Sequence, residues 1–199
     1  MCQFIESIRV IDGEVKLLHY HQQRVERTLK ACGGDGKTLN LEAVLEGMTF
    51  GKGVYKARIV YDAHGVVKDR SAALYRMRII ERLKLITDPE ITYEMKSVDR
   101  SRLEALAAQK GEADEIVIVK EGRITDTSYS NVALYDGKKW DTPARPLLRG
   151  TMRQHLIDEG QIVEAEIGVE DLDRYEKIAL INAMMPLGRC VVEMKDMER

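Results

Sequence analysis

The chain reads as an α/β protein of the α+β type in two domains, residues 1–87 and 88–199. In the first half, strand-forming runs are flanked by two amphipathic helices. The second half is dominated by short apolar strands cut by turn signals. The 199 residues can bury a sizeable core, as one large domain or two small ones, and Asp88-Pro89 is a turn signal between the halves.

The elements follow in order. FIESIRVIDGEVKLL is a hairpin, strands Phe4 to Ile11 and Glu14 to Leu18 around the turn dipeptide Asp12-Gly13. HYHQQRVERTLKAC is a helix with Leu18, Val25, Leu29 and Cys32 on one stripe, ended by GGDG. LEAVLEGMTF is a second amphipathic helix closing near Gly47, and the run from Gly53 to Ile80 forms strands around a turn at Ala63-His64-Gly65. Past the boundary, SRLEALAAQKG is a short helix starting at an Asp99 or Ser101 cap. Ile116 to Val119 is a continuous apolar strand, Glu121-Gly122 a turn, and Val132 to Tyr135 a further strand before the turn Asp136-Gly137. A helix runs from about Thr151 to Glu159. After it come a strand (162–167), a short helix (169–175) and a strand (177–182).

The bulk numbers, 44% apolar and 32% charged residues with net charge −2, are those of a soluble globular protein. They lack the basic balance of a nucleic-acid binder. No apolar run approaches the roughly 20 residues of a membrane span, and MCQFIESIRV lacks the basic and apolar regions of a signal peptide. Three scattered cysteines, Cys2, Cys32 and Cys190, point to a reduced, cytoplasmic setting with no disulfide framework and no metal site.

Single motifs stay weak. Gly36-Lys37-Thr38 ends like a phosphate-binding P-loop, but Ala31 stands where its first glycine belongs and a helix precedes it. His19 and His21 are two apart and cannot share a helical face, so they do not ligate a metal together. Arg24 by itself is a surface residue or an anion ligand. Gly150 before a helix start presents backbone N–H groups suited to phosphate. Lys96 is a solvated lysine or, if its pKa is lowered, a Schiff-base former. Asp126, in TDTSYSN, sits at a strand end among apolar strands, where a charge calls for a partner.

Taken together and in order, these stretches resemble the class IV (fold-type IV) pyridoxal-phosphate enzymes: branched-chain and D-amino acid aminotransferases and 4-amino-4-deoxychorismate lyases. FIESIRVIDGEVKLL resembles the family's opening hairpin, and HYHQQR its H-x-x-R helix, whose arginine holds the cofactor phosphate. MKSVDR is similar to the lyase K-x-x-N-R around the Schiff-base lysine, and ADEIVIVKEGRITDTSYSN to the segment whose acidic residue meets the pyridine nitrogen. LLRGTMRQ resembles G-I-x-R, and LINAMMPL the lyase's NALMP.

The resemblance implies a D-amino acid aminotransferase-like fold with a small N-terminal α+β domain and a C-terminal pseudo-barrel domain carrying the Schiff-base lysine. It implies pyridoxal 5'-phosphate as cofactor, Lys96 as catalytic residue, and cofactor contacts from Arg24, Lys96, Asp126, Leu148, Gly150, Thr151, Met152 and Asn182. Ser7 and Asn182 would face the substrate. The implied reaction is the lysis of 4-amino-4-deoxychorismate to 4-aminobenzoate and pyruvate in folate synthesis. An aminotransferase of D- or branched-chain amino acids, and a cofactor-binding protein without turnover, are the alternatives. A small-molecule substrate and a homodimer are implied as partners. Three features depart from the family pattern: Asp126 in place of glutamate, Arg149 where many relatives have proline, and a chain much shorter than a typical member.

Overall fold

The computed structural model describes residues 2–33 and 38–199. Gly36 and Lys37 of the P-loop-like triplet, and most of the GGDG stop, lie outside them. The chain forms two compact units, Met1–Met77 with Met95–Asp99, and Arg78–Glu94 with Arg100–Arg199. The anticipated boundary at 87/88 therefore falls inside the second unit, because the strand preceding it pairs there. Lys96 groups with the first unit, because its backbone oxygen accepts a hydrogen bond from Ile5 N at 2.9 Å.

The first unit is built on a four-stranded antiparallel sheet in the order β2-β1-β3-β4. Strand β1 (Gln3–Ile11) alternates, burying Phe4, Glu6, Ile8 and Val10 on one face. Asp12 (φ 51°) and Gly13 (φ 88°) turn it into β2 (Glu14–Val15), both left-handed as a two-residue hairpin requires. Helix α1 (Leu18–Ala31) buries His21, Arg24, Val25, Thr28 and Leu29, the i, i+3, i+4, i+7, i+8 stripe of an amphipathic helix. Two of those five are ionisable, whereas the apolar stripe read from the sequence holds neither.

Helix α2 (Leu41–Glu46) is capped by the Asn40 side chain, which accepts from Ala43 N, and buries Leu41 and Leu45 on the same core. Strand β3 (Val54–Asp62) is central, and β4 (Val67–Leu74) lies on the edge. Asp62 Oδ1 holds the turn between them by accepting from His64 N and Val66 N.

The second unit carries a nine-stranded mixed sheet. Its elements are β5 (Leu83–Thr87), α3 (Ser101–Ala107), β6 (Glu115–Lys120), β7 (Arg123–Thr127), β8 (Asn131–Tyr135) and β9 (Trp140–Pro143). Then come α4 (Thr151–Asp158), β10 (Val163–Ala165), β11 (Lys177–Ile181), β12 (Val191–Glu193) and β13 (Met197–Glu198). β6 pairs parallel with β5 and antiparallel with β7, and β8 pairs with β7, β9 and β11. Ile116–Val119, Val132–Leu134 and Ile178–Ile181 are buried on both faces of their strands, which explains their unbroken apolar runs.

Some local expectations shift. Arg100, and neither Asp99 nor Ser101, is the N-cap of α3, and its side chain makes no capping bond. Val169–Arg174 winds as a 3-10 helix, anchored where Gly168 N donates to Asp171 Oδ2. β9, β12 and β13 are two to four residues long, too short to show a pattern in the sequence.

Candidate active site

In the first unit, β1 and α1 meet at a buried ionic cluster. Arg24 Nε donates to Glu6 Oε1 at 2.9 Å and Arg24 Nη2 to Glu6 Oε2 at 2.5 Å, a bidentate pair. His21 Nδ1 lies 2.5 Å from the same Oε2. Burial alone would raise the Glu6 carboxyl, but Arg24 and His21 outweigh it and hold its pKa at about 2. Burial lowers the His21 pKa against the pull of Glu6, so the ring is neutral and donates from Nδ1. Its Nε2 is buried with no hydrogen-bond partner among the described residues. Arg24 is thus a buried, rigidly held guanidinium. Ser7 follows Glu6 on β1 and is half-buried on the opposite face, in register with Arg58. Lys96 is half-buried, and its charge is one of those that weigh against a charged His21.

In the second unit, the end of β7, the start of β8 and the loop into α4 converge. Asp126 is 5% exposed. Its Oδ1 accepts from Asn131 Nδ2 and its Oδ2 from Leu148 N, each at 2.9 Å. Burial pushes the carboxyl up to about 7, and those hydrogen bonds only partly restrain it. A carboxylate has about four lone-pair sites, so both oxygens retain capacity for a further donor.

Gly150 is the N-cap of α4, which has no side-chain cap. A Cβ at this position would collide with Asn131 Oδ1, so the backbone here is as bare as a glycine allows. Thr151 and Met152 open the helix and are buried; Leu148 is half-buried and Arg149 exposed. Asn182 ends β11. Its Oδ1 accepts from Met184 N and Met185 N, and its Nδ2 donates to Ser130 Oγ at 2.8 Å.

Of the anticipated residues, Ser7, Arg24 and Lys96 lie in the first unit and Asp126, Leu148, Gly150, Thr151, Met152 and Asn182 in the second. Sequence reasoning missed Glu6 and Asn131. Glu6 carried a signal: a carboxylate in phase with Phe4, Ile8 and Val10 on one face of a strand must find a buried partner. Asn131 also carried one, as the last residue of the ADEIVIVKEGRITDTSYSN segment that resembles the family, but the resemblance implied no role for it. Among the described residues, no group of three or more His, Cys, Asp or Glu side chains could hold a metal ion, and no helix is long and apolar enough to cross a membrane.

Within the second unit, a bare helix start and a buried carboxylate able to take one more donor suit an anionic, nitrogen-containing ring compound. The chain belongs to the amino-transferase class IV family, which matches residues 3–191. That family is pyridoxal-phosphate-dependent.

An uncharacterized protein of Haemophilus influenzae is 35% identical over 187 residues, covering 92% of this chain and 98% of its own. The crystal structure of a candidate 4-amino-4-deoxychorismate lyase from Haemophilus somnus 129PT is 34% identical. It superimposes with a TM-score of 0.86 over 94% of this chain and 98% of that one. The pyridoxal-phosphate-bound form of a hypothetical aminotransferase from Mycobacterium tuberculosis shares the fold at 16% identity, with a TM-score of 0.76 over 98% of this chain and 81% of that one. The shortened form is therefore shared with the two Haemophilus proteins.

Proposed function

We propose that this protein is a pyridoxal-phosphate-dependent lyase that converts 4-amino-4-deoxychorismate to 4-aminobenzoate and pyruvate. The observation that carries the reading is the near end-to-end likeness, at 34% identity, to the candidate lyase from Haemophilus somnus. When bound, the cofactor would supply an electron sink for the carbon that loses its proton.

The rest is done by this chain. Lys96 would hold the cofactor and, as a free amine, would take the proton from C4 of the substrate ring. The C3–O bond then breaks, the ring becomes aromatic, and the enolpyruvate leaving group is protonated at its methylene carbon to give pyruvate. Asp126 in its ionised form would accept from the pyridine N–H and keep that nitrogen protonated. Arg24 and the α4 start, with Gly150, Thr151 and Met152, bind the phosphate. Leu148 would pack on the ring, and Ser7 and Asn182 would line the substrate side. The working form in this proposal is a cytoplasmic homodimer.

Adding pyridoxal phosphate to the purified protein is expected to produce a visible absorption band that borohydride removes and that Lys96→Ala lacks. A wild type with no such band would end the cofactor reading. Release of 4-aminobenzoate and pyruvate from aminodeoxychorismate is expected in a coupled assay. Transfer of an amino group from D- or branched-chain amino acids to a 2-oxo acid, without lysis, would replace the lyase by an aminotransferase.

A further inference from the structure

Asn131 opens β8 directly opposite Asp126 in the strand register and is 5% exposed. Its amide nitrogen donates twice, to Asp126 Oδ1 at 2.9 Å and to Leu148 O at 2.7 Å. Leu148 N returns to Asp126 Oδ2 at 2.9 Å, which closes a ring of three hydrogen bonds through Asp126, Asn131 and Leu148. The other side of the Asn131 amide is also committed, because Oδ1 fills the space where any side chain at residue 150 would begin. One amide thus touches the carboxylate, the turn and the glycine that opens α4.

We infer that Asn131 is a positioning residue: it fixes the plane of the Asp126 carboxylate and ties it to the 148–150 turn, so that Asp126 and the start of α4 form one rigid piece. The inference rests on the cofactor roles proposed above for Asp126 and Gly150.

The physical reasons are separable. An aspartate at a strand end can rotate about χ1 and χ2, and bonds to different donors on its two oxygens remove that freedom. The Asn131 bond also favours the ionised carboxylate, opposing the burial that pushes Asp126 up. An apolar side chain at 131 would leave both Asp126 Oδ1 and Leu148 O without this donor.

The test compares wild type, Asn131→Ala, Gly150→Ala, the double variant, and Thr142→Val. Thr142 is also buried and donates to Val132 O on the same strand β8, without touching Asp126 or Leu148, so its variant reports loss of a buried hydrogen bond outside the ring. Pyridoxal phosphate binding is titrated from pH 6 to 9, and the Asp126 carboxyl is followed by carbon-13 NMR in the cofactor-free protein.

Asn131→Ala is expected to weaken cofactor binding on the order of 10- to 100-fold, the range for one hydrogen bond to a charged group. Both the midpoint of the binding curve and the Asp126 titration should move to higher pH. Gly150→Ala is expected to act in the same direction in wild type and to add little in the Asn131→Ala background, where its clash partner is gone. It reaches the same contact from the other side should Asn131→Ala fold poorly.

Unchanged Asp126 titration and unchanged affinity in both single variants would overturn the inference. So would effects no larger than those of Thr142→Val. Wild type that takes no cofactor while Asn131→Ala still shifts the Asp126 titration would instead sink the cofactor reading and leave the positioning role standing.

Discussion

The Asp126 carboxyl should make the cofactor-free protein lose stability as pH rises, and Asp126→Asn should remove that loss. Burial takes this group from an ordinary 3.8 to about 7. The folded state therefore holds a proton that the unfolded chain has released, and stability falls between pH 3.8 and about 7. At about 1.4 kcal/mol per pH unit the full effect approaches roughly 4 kcal/mol, of which about 3 kcal/mol falls between pH 5 and 8. Asparagine can still accept from Asn131, but it cannot also accept from Leu148 N, which adds a pH-independent cost of about 1–3 kcal/mol.

The slope therefore carries the information. Urea denaturation of cofactor-free wild type and Asp126→Asn at pH 5, 6, 7 and 8 gives the difference in unfolding free energy at each pH. It also cancels every other titrating group, including His21, whose lowered pKa acts with the opposite sign below 6.5. The difference should shift by about 3 kcal/mol in favour of the variant from pH 5 to pH 8. Parallel curves would show that Asp126 is already ionised at pH 5 and would refute the account of a destabilised carboxyl awaiting a cationic partner.

Two further outcomes test the frame around the site. Glu6→Ala leaves Arg24 buried without its bidentate partner and is expected to cost about 3–5 kcal/mol by urea denaturation at pH 7. Glu6 has a depressed folded pKa, so its stabilisation is complete above 4.5 and is lost as pH falls towards about 2. The acid limb of the wild-type stability curve should accordingly flatten in that variant. Leu134→Ala removes a fully buried side chain from β8, the strand that begins at Asn131, and is expected to cost about 2–5 kcal/mol in the same measurement.

Local chemistry was legible wherever a residue type forces a backbone state. Asp12-Gly13 announces a left-handed two-residue turn, and both residues have positive φ. Gly150 before Thr151 announces a helix start, and α4 begins there. The short apolar runs at 116–119 and 132–135, the first wholly β-branched and both ended by turn dipeptides, announce strands covered on both faces. The short strands β9, β12 and β13 were illegible because two to four residues are too few to show a period, and β13 pairs with β5 more than a hundred residues earlier.

The family motifs brought Arg24, Lys96 and Asp126 forward as single residues but not what surrounds them. The sequence by itself determined the α+β class, the turns, the helix starts and an ordered set of candidate residues, because these depend on neighbours within a turn or two. Only the tertiary structure decided that Lys96 groups with β1, that Glu6 pairs with Arg24 and holds it in place, and that Asn131 clamps Asp126 against Gly150. Each of these joins residues distant in the chain, and their energies come from burial and hydrogen-bond closure, which do not exist until the sheets have formed.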